Sequence, residues 1–117
     1  MYRIDHDSQA GILRLIPEGF WDAATVDRLS EEIRPIARRI KASGRPLLVL
    51  SDARNFPVQS QAVMDRFARF DTMIGVQPDR LAIVSGSVLV KLQGERIDMA
   101  NARFFTTPTE AEAWLRE

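Results

Sequence analysis

The sequence predicts an α/β domain built on a mixed, mostly parallel sheet of about five strands with about four helices. Three observations predict it. Arg45-Pro-Leu-Leu-Val-Leu-Ser-Asp-Ala-Arg54 holds an apolar or β-favouring run, Leu47 to Ser51, entered by a proline and closed by a polar turn. Such a run reads as a strand buried on both faces, as in parallel sheets covered by helices. Strand-like and helix-like segments then alternate in the order β-β-α-β-α-β-α-β-α, which implies right-handed parallel crossovers. Finally, 117 residues suffice for one core and one domain, spanning 1–117.

Tyr2 to His6 and Gly11 to Ile16 are short strands, with Asp7-Ser-Gln-Ala-Gly11 as the hairpin turn between them. Pro17-Glu-Gly19 breaks the second. A long helix is predicted from Asp22 to about Ala42, because Asp22 can cap the free amides of its first turn. Val26, Leu29, Ile33, Ile36, Ala37 and Ile40 form its apolar stripe. Pro35 lies inside it and should kink or split the helix near Arg34. Ser43-Gly44 ends it.

After the central strand and an Asn55 to Gln59 loop, a second helix is predicted from about Ser60 to Met73. Val63, Phe67, Phe70 and Ile74 are its inner face. Arg80 to Ser85 is the next strand. Ser87 to about Ala100 is a weaker helix, with Gly94 inside it and β-branched Val88 and Val90. Arg103 to Thr106 is the last strand. Thr107-Pro-Thr-Glu110 opens the final helix with a capping box and a proline at its first position, leaving Ala111, Trp114 and Leu115 to face inward.

Composition narrows the function. Apolar residues make up 45% and charged residues 27%, as in ordinary globular proteins. Sixteen basic residues cancel sixteen acidic ones, so no net field draws the chain to nucleic acid or to an anionic membrane. With no cysteine there is no disulfide and no thiolate chemistry. His6, the only histidine, cannot build a two-histidine metal site, and reads as a partly exposed strand residue. The first residues lack the apolar core of a signal peptide, and no apolar run reaches the length of a membrane span. A cytoplasmic protein without cofactor or metal is the expectation.

Few residues carry chemistry. Ser51 and Asp52 end the central strand, where α/β sheets often bind ligands; a turn with Asp52 paired to Arg54 is the simpler reading. Ser85-Gly-Ser87 follows a strand and opens a helix. Its amides suit an anion, but without a P-loop pattern a serine-capped turn explains it better. Val63, Met64, Phe67, Phe70, Met73 and Ile74 cover more than one helical stripe, so one flank of the second helix is expected to face a partner or a lipid.

Three stretches carry a family resemblance: Glu18-Gly-Phe-Trp-Asp-Ala-Ala-Thr25, Leu47-Leu-Val-Leu-Ser-Asp52, and Arg103-Phe-Phe-Thr-Thr-Pro-Thr-Glu-Ala-Glu-Ala-Trp-Leu115. With the order of elements, the chain resembles the SpoIIAA-like proteins of the STAS superfamily over nearly its whole length. The resemblance implies an antiparallel first strand. In the wider superfamily a serine in an Asp-Ser-Ser-Gly motif at the start of the second helix is phosphorylated and controls binding to a partner kinase. Here that region reads Phe56-Pro-Val-Gln-Ser-Gln-Ala62. Only Ser60 lies near the expected place, and a helix N-cap also explains it. Some SpoIIAA-like relatives are compared with CRAL-TRIO lipid-transfer domains, which implies an apolar ligand.

The leading expectation is therefore a non-enzymatic regulatory module, working through protein contacts on the second helix and adjoining loops. The alternative is a carrier or sensor of a lipid or other apolar molecule, held between the second and third helices. Candidate residues are Ser60 for phosphorylation or partner binding, and Asp52, Phe56, Met64, Phe67, Phe70 and Met73 for the ligand or partner surface. A homodimer through an exposed helix or the Tyr2 to His6 edge is a further expectation.

Overall fold

Tyr2–Asp7 (β1) and Ile12–Pro17 (β2) form the expected hairpin in the computed structural model, which describes residues 1–95 and 101–117. Asp7 closes its turn by accepting the Ala10 amide at 3.0 Å. Leu48–Asp52 (β3), Arg80–Val84 (β4) and Ala102–Phe105 (β5) then add in parallel, giving the strand order β1-β2-β3-β4-β5. Only the first pair is antiparallel, as the resemblance implied.

The strands are laid down in one direction across the sheet. Right-handed crossovers in one direction deliver every connecting helix to the same face. Ala23–Ala42 (α1), Gln61–Phe67 (α2), Phe70–Ile74 (α3) and Val88–Glu95 (α4) thus share one face, above Leu13, Leu15, Val49, Ile83 and Phe104. Pro108–Leu115 (α5) follows the last strand and covers the other face, over Ile12, Leu50, Ala82 and Val84.

Asp22 caps α1, accepting the Thr25 amide at 2.9 Å. Val26, Leu29, Ile33, Ala37 and Ile40 are buried along its stripe, and Ile36 is half-buried. Pro35 does not split α1, which runs unbroken for 20 residues. Both Pro35 and Glu31 are exposed, so water can satisfy the carbonyl that proline leaves without a donor. The second predicted helix, by contrast, is two. The chain tightens at Ala68–Arg69, where the Arg69 amide bonds back to the Arg66 carbonyl, and restarts as α3. The restart brings the end of α3 against α1: Arg34 donates twice to the Met73 carbonyl, at 3.0 and 2.8 Å, and Arg38 to the Ile74 carbonyl at 3.3 Å. Gly75 ends α3 at φ 80°, a left-handed conformation that favours glycine, beneath the Arg38 guanidinium.

The helix predicted from Ser87 appears as α4, and its expected continuation to Ala100 falls outside the described residues beyond Glu95. Gly94 lets α4 lie against Phe104: a Cβ there would meet the ring at 2.6 Å. Thr107 caps α5 by accepting the Glu110 amide at 3.3 Å, with Pro108 in the first turn as predicted. Ala111 and Leu115 are buried and Trp114 is half-buried. No described helix is long and apolar enough to cross a membrane.

Candidate functional site

The space that matters lies between the sheet and the four helices on its crossover face. A cavity of about 110 Å³ sits between α1, α3 and the strands. A second, of about 90 Å³, sits between α2, α4 and the carboxyl ends of the strands. Leu15, Ser51, Phe67 and Ile83 wall both. The two are neighbouring rooms with Phe67 between them.

Aromatic side chains form the frame. Trp21 stands 5.6 Å from Tyr2, 5.1 Å from Phe56 and 5.9 Å from Phe67, ring centre to ring centre. Phe67 in turn lies 6.0 Å from Phe70. These tilted and edge-on spacings suit aromatic quadrupoles. Trp21 is fixed at both ends: its indole N–H donates to the Glu18 carbonyl at 2.9 Å, and its amide donates to Gln59 Oε1 at 2.9 Å.

Gln59 is the joint of the site. Its side-chain amide donates to the Gly19 and Pro57 carbonyls at 3.0 and 2.7 Å. Its backbone is gripped by Gln93 of α4, whose Oε1 accepts the Gln59 amide at 3.0 Å and whose Nε2 donates to the Gln59 carbonyl at 2.8 Å. This clamp holds α4 over the α2–α4 cavity, with Val90, Gln93 and Gly94 as its cover.

Phe56, Met64, Phe67 and Phe70, singled out from sequence, come together here: the first two wall the α2–α4 cavity, Phe70 the other, and Phe67 both. Met73 is half-buried beside the site without walling either cavity. Asp52 stands on the opposite face of the sheet. Its carboxylate takes a two-pronged bond from Arg54, at 2.8 and 2.7 Å, which holds its pKa below the ordinary value. Ser60 caps α2, accepting the Val63 amide at 3.3 Å. Val63, Met64 and Phe67 of α2 turn toward the sheet, while Gln61, Ala62, Asp65, Arg66 and Arg69 are exposed, Arg66 pairing with Asp27 of α1 at 2.9 Å. Ser85 is occupied by its own turn, donating to the Ser87 carbonyl and accepting the Ser87 amide.

Sequence reasoning missed Asp71. It is half-buried among apolar walls of the α1–α3 cavity, and that burial raises its carboxyl pKa above the ordinary value. The signal was present: Asp71 stands four residues after Phe67 and three before Ile74, on the inward helical face. Among the described residues, no cluster of three or more acidic, histidine or cysteine side chains could hold a metal.

Strand order, the antiparallel first pair and the helices on both faces define a SpoIIAA-like α/β fold. One solved structure it resembles is the crystal structure of an uncharacterized DUF3478-family protein with a SpoIIAA-like fold from Shewanella loihica PV-4. The two share a TM-score of 0.67 at 16% identity, over 98% of this chain and 92% of that one. No protein-family model matches the sequence, and no curated protein does.

Proposed function

We propose that the protein is a non-enzymatic binding module whose ligand is a small apolar molecule. The observation that carries this reading is the pair of adjoining cavities, walled almost entirely by carbon. An apolar cavity of about 150 Å³ stays dry and takes up a benzene ring. Each of these two, at about 90 and 110 Å³, is smaller than that and takes a short chain segment, and a short alkyl chain spans both past Phe67. The Gln59–Gln93 clamp supplies a cover that opens without disturbing the α5 face.

The test is a titration with 1-hexanol followed by methyl NMR. Shifts at Leu15, Met64 and Ile83, with Leu50 and Leu115 unmoved, are the expected result. Unmoved wall methyls, or equal shifts on both faces, would overturn the reading.

A second reading, a module working through protein contacts, is favoured by the rim of the clamp. Phe20 is 71% exposed next to Trp21, Val58 is exposed next to Gln59, and Leu92 is exposed next to Gln93. Val88 and Leu89 extend this apolar rim one turn along α4. Such a surface serves a partner that receives or delivers the ligand. Substituting Val88 and Leu92 by serine should abolish that contact and leave hexanol binding intact.

A further inference from the structure

We propose that the α1–α3 cavity takes the apolar body of a small amine, with its ammonium group seated on the Asp71 carboxylate. This deepens, and rests on, the apolar-ligand reading. Asp71 is the one ionisable side chain among the described walls of that cavity, and Ser51 is the only other polar side chain. The remaining walls include Leu13, Ile33, Val49 and Phe70.

A carboxylate drawn partly out of water gains from a cation beside it. Among the described residues Asp71 forms no ion pair and its side chain accepts no protein hydrogen bond; its half-buried carboxylate still reaches solvent. The arginines that α1 sends toward α3 are already engaged: Arg34 bonds the Met73 carbonyl and Arg38 the Ile74 carbonyl. They hold the helix end, and among the described residues no cation is left to pair with the carboxylate. A ligand cation supplies what is missing. Its hydrocarbon body fills space against Phe67 and Phe70, and its N–H groups make charge-assisted bonds to the carboxylate. A ligand carboxylate in the same place would set like charges together, and a neutral hydroxyl would offer a single weaker bond.

The experiment compares hexylamine, 1-hexanol and hexanoate, three probes with one six-carbon body, by methyl NMR at Ile74 and Leu81 of the full chain. Hexylamine should bind about tenfold more tightly than hexanol, the usual advantage of a charged over a neutral hydrogen bond, and hexanoate most weakly. Asp71→Asn should bring hexylamine down to about the affinity of hexanol, while hexanol still shifts the wall methyls, which also shows that the variant is folded. Hexanoate binding as tightly as hexylamine overturns the proposal, as does an amine preference that survives Asp71→Asn. Hexanol binding without an amine preference removes the anchor and spares the cavity. No shift with any probe removes both.

Discussion

The two faces of the sheet are built from alternate residues of the same strands, yet they pack differently. The α5 face is a closed fit. Ile12, Leu50, Ala82, Val84, Ala111 and Leu115 are all buried in one cluster. Arginines pin its margin: Arg14 bridges Asp7 and Glu112, Arg80 donates to the Trp114 carbonyl and lies 5.1 Å from its ring centre, and Arg103 lies 5.5 Å from that of Phe105. The crossover face carries four helices and yet encloses the cavities. Its second crossover is broken at Ala68–Arg69, with the half-buried rings of Phe67 and Phe70 tilted against each other across the break. Helical cover and close packing are therefore separate properties. The two apolar cavities belong to the face whose second crossover is broken into two short helices and whose fourth helix is held by a polar clamp.

The sharpest way to break this contrast is to remove a side chain from each face. Leu50→Ala should cost about 2–5 kcal/mol in urea denaturation, as for a large side chain lost from a close-packed core. Met64→Ala, at a wall already adjoining empty space, should cost less than half as much. Equal losses would mean that the faces are equally packed.

Adding atoms should reverse the ranking. Ala82→Val overfills the α5 face and should destabilise by about 1–3 kcal/mol. Ser51→Val adds carbon between the two cavities, and the melting temperature should hold or rise while hexanol binding falls. A drop in stability for both would show that the cavity walls cannot accept a methyl group.

The elements were legible because their signals are local: the Asp22 and Thr107 caps, the stripe of α1, and the apolar run of β3. The fold class followed from their order. The break between α2 and α3 was not legible, because Val63, Phe67, Phe70 and Ile74 keep helical spacing straight through it. What favours the break is Arg34 and Arg38, some 36 to 39 residues away, receiving the end of α3. The site was half legible for the same reason. Aromatic spacing found Phe67 and Phe70, but whether their flank faced outward or toward a cavity depends on how far the sheet lies beneath them. The Gln59–Gln93 clamp joins two loop and helix positions with no pattern in common, and only tertiary structure reveals it.

That clamp offers a finer test. Gln93→Ala removes two hydrogen bonds to the Gln59 backbone, each worth about 1 kcal/mol net. The loss should be local: faster hydrogen exchange at Gln59 and along α4, with α5 amides unchanged. Exchange quickening equally on both faces would mean that α4 is part of the global fold and no cover.

The smallest effect separates carboxylates by sign. The Ala10 amide holds Asp7, and the Leu47 amide with Lys41 holds Asp79, below the ordinary value of 3.8. Their stabilisation is present above that value and is lost as pH falls through the depressed folded values. Asp71 runs the other way. Burial raises its folded pKa above 3.8, and the two arginines nearest along α1 are committed to carbonyls. Its protonated form is the better accommodated, so stability is fully present below 3.8 and is lost as pH rises through the raised value. Asp71→Asn should therefore match the parent in acid and exceed it slightly at neutral pH, read as urea midpoints across that range. A difference that does not change with pH would mean that the carboxyl is well solvated, and that the crossover face holds no under-solvated charge for a ligand to satisfy.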